Sequence, residues 1–455
     1  MKDNDTNIAI AIAQKVASCG GSTYFVGGYV RDKLLGIENK DIDIEVHGIT
    51  QKDLEEILSS IGELLRFGKS FGVYSIKGAS IDVAMPRKET ATGRGHRDFD
   101  IEVDPFIGTE KACKRRDFTI GAIMQNVLTG EIVDHFGGIG DLHNKIIRHV
   151  NDDSFGEDPL RVLRAAQFAS RFEFTIAEET IALCKNMDIC ALPAERVFEE
   201  LKKALLKAEK PSLFFEELRL MGKLSPYFAE LEKLIGIPQN EKHHAEGDVW
   251  VHTMMVLDET AKYRQRAKNP LGLMLAALCH DLGKITCTQE INGEIHAYGH
   301  ETEGLPIIKE FMGRITAEKQ LTEYVLNLCE YHMKPNTAAA HCASIKSTNK
   351  MFDNAKDPMD LLLLGLADGR GKVANHPYYD TEPFLLERLA IYEEYMSRPY
   401  VMGRDLIEAG VTPGADFSEI LAYAHKLRLA GIEKSSALRQ TIAYANTLRK
   451  KAKQT

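Results

Sequence analysis

The sequence predicts a multidomain α+β protein, with a small mixed-sheet region followed by an almost entirely helical remainder. Three observations lead there. A length of 455 residues allows two to four domains with ample buried cores. The run Asp41-Ile42-Asp43-Ile44-Glu45-Val46 alternates strictly, which places its acids on one face of a strand and its aliphatics on the other. From Asp158 onward the apolar residues recur at helical spacing, and strand patterns nearly vanish.

The elements follow in order. Residues 7–19 carry helical spacing and precede the apolar strand Tyr24-Phe25-Val26, which runs into the turn Gly27-Gly28. Adjacent glycines let backbone or a phosphate approach where a Cβ would clash. Val30–Leu35 has helical spacing and stops at Gly36. After the acidic strand come an amphipathic helix at Gln51–Ile61 and short strands at Tyr74–Ile76 and Ser80–Ala84. The polar stretch from Pro86 to Phe106, including Gly93-Arg94-Gly95-His96-Arg97, reads as a mobile active-site loop. The α/β pattern ends after Glu131–Asp134 and Ile146–Arg148. Asp158 and Pro159 form an N-cap and first-turn pair for a helix whose core positions are Leu160, Leu163, Ala166 and Phe168. Helices at 176–187, 194–207 and 211–221 follow, then a linker at Gly236–Gly247. Four segments are expected: 1–147, 148–244, 245–373 and 374–455, the last opening on a proline-containing connection.

Composition narrows the class. No run approaches the length of a membrane span, and Met1-Lys2-Asp3-Asn4-Asp5 is not a signal peptide, so a cytoplasmic protein is expected. The eight cysteines contain no Cys-x-x-Cys pair, and Cys19, Cys184 and Cys279 read as reduced core residues. A net charge of −9 excludes a protein that coats nucleic acid nonspecifically, but leaves room for local basic tracks. One is Lys111, Lys114, Arg115 and Arg116; another spans Lys426–Thr455, where eight Lys/Arg residues face the single acid Glu433. Each reads either as RNA contact or as a solvated face. Nothing in the sequence indicates an oligomer.

The acidic strand carries the first chemistry. Carboxylates side by side repel each other unless cations neutralise them. Magnesium suits this role, because it is held by one or two carboxylates together with substrate phosphates. Nucleotidyl transfer uses two such ions about 4 Å apart. Asp41 and Asp43 are the expected ligands, and Asp82, on the neighbouring strand pattern, is the expected third carboxylate. Arg31 and the Gly27-Gly28 amides would neutralise a triphosphate. An edge strand with an accidentally acidic face is the alternative for Asp41 and Asp43, and a polar strand residue is the alternative for Asp82.

Together with Lys114-Arg115-Arg116-Asp117-Phe118-Thr119-Ile120, Glu157-Asp158-Pro159-Leu160-Arg161-Val162-Leu163-Arg164-Ala165 and Pro193-Ala194-Glu195-Arg196-Val197, this stretch resembles the DNA polymerase β-like nucleotidyltransferases. More narrowly, it resembles the bacterial class II tRNA CCA-adding enzymes and poly(A) polymerases. The resemblance implies a polymerase-β-like head, a helical neck, and addition of C, C and A to tRNA from CTP and ATP with magnesium. It assigns nucleotide binding to Gly27, Gly28, Arg31, Arg115, Arg116, Asp117, Asp158, Arg161 and Arg164. In that family the Glu-Asp-x-x-Arg motif reads the incoming base. Asp158 and Arg161 are three residues apart, so they share one helical face, where acceptor and donor can complement cytosine or, after reorientation, adenine. The alternative is a capping residue and a surface charge. Gly121 stands where the family usually has Asn, and Asp82 where many relatives carry Glu.

The second chemistry lies in His252, Leu278-Cys279-His280-Asp281-Leu282-Gly283-Lys284 and Asp368. His…His-Asp…Asp on successive helices resembles the HD-domain metal-dependent phosphohydrolases. Imidazoles and carboxylates together suit a divalent transition metal such as Ni, Mn, Co or Fe. Such an ion lowers the pKa of bound water. His300 and His332 read as second-metal or phosphate contacts, or as packing histidines. Lys284 reads as a phosphate contact or as a lysine at a helix C-terminus. The combination implies a CCA-adding enzyme whose HD domain hydrolyses phosphomonoesters or 2′,3′-cyclic phosphates in tRNA end repair, with the C-terminal segment touching tRNA. The alternatives are a partial CC- or A-adding enzyme, a poly(A) polymerase, or an RNA-binding or signalling protein in which only the HD site works.

Overall fold

The computed structural model describes residues 2–39, 41–67, 72–91, 99–373 and 380–452. The centre of the expected loop, Gly93–Arg97, and the connection at 374–379 lie outside the described residues. Backbone contacts divide the chain into two compact units, Met1–Tyr227 and Phe228–Thr455.

The first unit is built on a seven-stranded sheet. Its strands are β1 (Ser22–Phe25), β2 (Ile42–His47), β3 (Leu64–Phe67), β4 (Val73–Ile76) and β5 (Ile81–Ala84); a hairpin outside the sheet supplies β6 (Arg87–Ala91) and β7 (Phe99–Val103); β8 (Met124–Asn126) and β9 (Ile132–Val133) complete it. The order is β3-β4-β5-β2-β1-β8-β9. Among the described strands of this sheet, only β2 and β5 run parallel, and their register sets Asp43 opposite Asp82. Ile42, Ile44 and Val46 are buried, as the alternation requires, and helices Lys2–Ser18 and Gln51–Ser59 supply Ile12, Val16, Leu54 and Leu58 to the core. A Thr50–Asp53 capping box starts the second of these helices.

Two expectations need correction here. The stretch 86–106 is not one long loop, because β6 and β7 pair antiparallel from Arg87↔Val103 to Ala91↔Phe99. Cys19 is exposed beyond the end of the first helix, whereas Cys184 and Cys279 are buried. Helix Leu160–Phe172 begins one residue after Pro159 and packs on helices Ala194–Lys207 and Ser212–Leu220.

The second unit is helical. Val249–Ala261, Pro270–Cys279, Lys319–Tyr331 and Pro358–Arg370 pack on one another. Pro270–Cys279 is buried from Gly272 to Cys279, as expected of a helix that is apolar all round. The expected linker at 236–247 belongs to this unit and folds against it: Gly236 N–H donates to Asp248, and Glu246 accepts from Val373 N–H. Near the C-terminus, helices Phe417–Leu429 and Lys434–Ala452 close a separate core around Leu406, Ile420 and Ala445. Two residues of the basic tract are neutralised there, by Lys434–Asp405 at 2.9 Å and Arg449–Asp416 at 2.7 Å, while Lys426, Arg439 and Lys450 are exposed. Among the described residues, no helix is long and apolar enough to cross a membrane.

Candidate active sites

In the first unit, Asp43 and Asp82 project from paired positions of β2 and β5, with Asp41 just before β2. Burial, then the neighbouring Asp82 carboxylate, push the pKa of Asp43 up; Arg116 opposes this and Asp41 adds to it. Carboxylates held together at this cost have the chemistry that suits a hard divalent cation. Asp82 also accepts a short hydrogen bond from Ser75.

Gly27 forms the floor of the site. Its φ of +62° is left-handed, and a Cβ there would sit 3.5 Å from Arg116 Nη1 and 3.8 Å from Asp43 Oδ2. A pocket of about 220 Å³ brings together Gly27, Gly28, Arg31, Asp43, Arg116, Asp117, Gly121, Arg164 and Phe168. Glu45, buried on the acidic face, anchors the basic wall: Arg116 lies 3.3 Å and Arg115 4.0 Å from its Oε2. Burial would raise the pKa of Glu45, but the His47 hydrogen bond and the two guanidinium groups bring it down to about 2.

The expected nucleotide residues are engaged in different ways. Arg31 is buried, donates to Asp32 at 2.8 and 2.6 Å, and stacks on Phe168 and Phe172. Arg164 Nε donates to Asp117 at 2.7 Å; burial opposes ionisation of Asp117, yet Arg164 holds its pKa below the usual carboxylate value. Asp158 and Arg161 do not pair with each other. Asp158 accepts from Leu160 N–H at 3.0 Å and from Arg196 at 3.1 Å. Arg161 donates to the carbonyls of Ser154 and Arg115. It lines a second, basic pocket with Arg87, Lys111, Lys114 and Arg115. Gly121 lines the first pocket, and a Cβ there would meet Asp117 Oδ1 at an ordinary 3.6 Å.

In the second unit, His252, His280, Asp281, His300, His332 and Asp368 are all buried and converge. His252 Nε2 lies 3.3 Å from Asp368 and 3.5 Å from Asp281. His300 Nε2 lies 3.2 Å from Asp281 Oδ1. Each imidazole is oriented through its Nδ1: His280 bonds Ala277 O, His300 bonds Ala297 O, His332 bonds Cys329 O, and His252 bonds Glu246. These bonds fix the tautomer that aims the Nε2 lone pair inward. Two inward pairs nearly touch, His252–His280 at 3.4 Å and His300–His332 at 3.3 Å. Ring nitrogens facing each other this closely need a proton or a metal cation between them. Among the described residues three groups could hold a metal: His252–His280–Asp281 and Asp281–His300–His332, with Asp281 common to both, and His244–Glu246–His252 beside them. Burial, and then the neighbouring His280 and His300, bring His332 down to about 3, which keeps it neutral.

Lys284 is buried at the start of a short helix, 2.7 Å from both Asp281 Oδ2 and Gln239 Oε1. Sequence reasoning missed Glu246, Gln239 and His244, because glycines at 236 and 247 gave the segment the look of a linker. The run His243-His244-Ala245-Glu246 was the available signal. Glu246 Oε1 bonds both His244 and His252.

Comparison with known proteins finds matches over both regions. Residues 23–148 match the Poly A polymerase head domain, and residues 249–369 match the HD domain. The Multifunctional CCA protein of Actinobacillus pleuropneumoniae serotype 5b (strain L20) is 37% identical over 380 residues, covering 79% of this chain and 88% of that protein. The Multifunctional CCA protein of Pasteurella multocida (strain Pm70) is 35% identical over 427 residues, covering 91% and 97%. A solved CCA-adding enzyme, apo form II, superposes with a TM-score of 0.68 at 20% identity over 98% of this chain and 96% of that one. The Thermotoga maritima CCA-adding enzyme complexed with tRNA gives 0.61 at 21% identity over 96% and 95%.

Proposed function

The chain belongs to the family of the multifunctional CCA proteins, and from that premise we propose that its first unit adds C, C and A to tRNA 3′ ends from CTP and ATP. The observation that carries this reading is the Asp43–Asp82 pairing across the parallel strands, beside the glycine floor and the Arg116 wall. Asp41, Asp43 and Asp82 would hold magnesium, which activates the attacking hydroxyl and neutralises the phosphates when bound. Gly27, Gly28, Arg31 and Arg116 receive the triphosphate, with Arg31 held in place by Asp32. Asp158 and Arg161 present the base-reading edge. Each keeps hydrogen-bonding capacity beyond the bonds that orient it, since a carboxylate offers about four acceptor sites and a guanidinium five donors. The exposed Lys426, Arg439 and Lys450 suit contact with the tRNA backbone. Functionally, the segments 1–147, 148–244, 245–373 and 374–455 act as head, neck, HD domain and tRNA-contacting region.

The test uses one tRNA ending before CCA, after C and after CC, each given CTP, ATP or both. All three should reach the same end. Failure of the first with CTP, alongside success of the third with ATP, would make this an A-adding enzyme, and long homopolymer tails would make it a poly(A) polymerase.

The second unit is proposed to hydrolyse phosphomonoesters or 2′,3′-cyclic phosphates at damaged tRNA ends. The buried, tautomer-fixed imidazoles support it. His252, His280, Asp281 and Asp368 would hold a divalent transition metal, with His300 and His332 completing a second position; bound metal supplies hydroxide near neutral pH. Lys284 steadies Asp281 and faces the cleft where a phosphate would enter. Absence of 2′,3′-cyclic AMP hydrolysis with any of Ni, Mn, Co or Fe would overturn this part.

A further inference from the structure

Tyr298 is 70% exposed, the highest value among the described large hydrophobic side chains. Its ring is nonetheless ordered against a neighbour, stacking on His296 with centroids 4.9 Å apart and planes 16° from parallel. With one face covered by the imidazole, the exposure belongs to the rest of the ring. Both rings line the cleft of about 490 Å³ that also contains Asp281, His300 and His332. That volume falls within the range of small-molecule sites, about 300–1,000 Å³.

The segment is tied to the metal group by its own backbone. Ala297, between the two rings, accepts from His300 Nδ1 at 2.8 Å, so the carbonyl that aims His300 also places Tyr298. The hairpin leading into it, Gln289–Ile291 with Glu294–His296, is clamped by Lys242 Nζ–Glu294 at 2.5 Å. A small phosphate ester would need only the inner end of the cleft, with Lys284 and the ligands. The aromatic pair at the same cleft has no use for phosphate, but a stacked, partly covered ring is what a nucleobase lies upon.

We propose that Tyr298, backed by His296, is a nucleobase-stacking platform for nucleotides whose phosphate enters the metal group formed by Asp281, His300 and His332. This rests on the hydrolase reading of the second unit and deepens it. The platform accepts purine and pyrimidine alike, since stacking uses the π-face that every base has, and it favours nucleotides over phosphate esters lacking a base.

The test is equilibrium dialysis of the full-length, Mn²⁺-loaded protein with adenosine 3′-monophosphate, cytidine 3′-monophosphate and inorganic phosphate. Wild type, Tyr298→Ala and Tyr298→Phe are compared. Nucleotide held by the first unit is the same in all three proteins and cancels in the difference. Y298A should weaken the second-unit binding of both nucleotides about 10-fold. It should change phosphate affinity less than twofold, and Y298F should behave as wild type. In parallel, Y298A should raise KM for 2′,3′-cyclic AMP with kcat little changed, and leave hydrolysis of glycerol 2-phosphate, which has no ring, unaffected. Unchanged nucleotide affinity in Y298A, or an equal loss for phosphate, overturns the platform. A wild type that hydrolyses no ester overturns the hydrolase reading instead, and the dialysis difference still decides the platform.

Discussion

Gly283→Ala should separate the two metal groups of the second unit. The residue lies between Asp281 and Lys284, with φ −66°, so alanine is not barred by backbone conformation. Space is the obstacle. An added Cβ would lie 2.0 Å from the His300 carbonyl oxygen, 2.7 Å from its carbon and 2.8 Å from Gly304 N. All three are backbone atoms, so no side-chain rotation relieves the clash. To regain the 3.0 Å that a Cβ tolerates, the two segments must part by about 1 Å. His300 Nε2 now stands 3.2 Å from Asp281 Oδ1 and 3.3 Å from His332 Nε2. Ligand atoms about 2.1 Å from a common ion cannot be more than about 4.2 Å apart. A shift of this size therefore moves His300 to the limit of shared coordination. Overpacking of this kind costs about 1–3 kcal/mol, which a domain of this size survives. The expected result is at least a 10-fold weaker affinity at the Asp281–His300–His332 group, with the His252–His280–Asp281 group retained. Mn²⁺ titration calorimetry with metal analysis after dialysis measures it, and CCA addition by the first unit serves as the internal control. Wild-type stoichiometry and affinity in G283A would refute the reasoning.

Other outcomes follow from the same geometry. Asp43→Asn should abolish CCA addition, by about 10³-fold or more, while raising or preserving thermal stability, because it removes like-charge repulsion with Asp82 and Asp41; a clear fall in Tm would contradict that cause. Asp117→Asn breaks the half-buried pair with Arg164 and should cost about 1–2 kcal/mol in denaturant unfolding at pH 7. The folded pKa of Asp117 is depressed below 3.8, so its contribution is complete above that value and is lost as pH falls through the lower folded pKa. The gap between wild type and D117N should therefore shrink on acidification below about pH 4, and a gap constant with pH would count against the pair. Glu246→Gln should weaken metal binding about 10–100-fold with little change in fold, because His252 loses the carboxylate that fixes its tautomer; unchanged affinity by calorimetry would remove Glu246 from the site.

The sequence by itself determined what is local. Alternation placed Asp43 and Ile44 on opposite faces of a strand, because the β period is two. The order His252, His280-Asp281, Asp368 marked candidate ligands within a few residues of helix ends. Tertiary structure decided what depends on register and on approach across the fold. Parallel pairing of β2 with β5 set Asp82 opposite Asp43, and nothing in either strand's own pattern fixes that register. Burial turned Glu45 from one more acid into the anchor of Arg115 and Arg116, since desolvation demands a partner. A segment whose glycines suggest a linker supplied Glu246 and Gln239, because hydrogen bonds to His252 and Lys284 form only when 236–247 folds back on the bundle. Asp158 and Arg161, neighbours by helical spacing, were drawn to Arg196 and to the carbonyls of Ser154 and Arg115. Arg161 sits in the first turn of the helix that opens at Leu160 and Asp158 just before it, so the partners that long-range packing brought within hydrogen-bond reach decided how each was held.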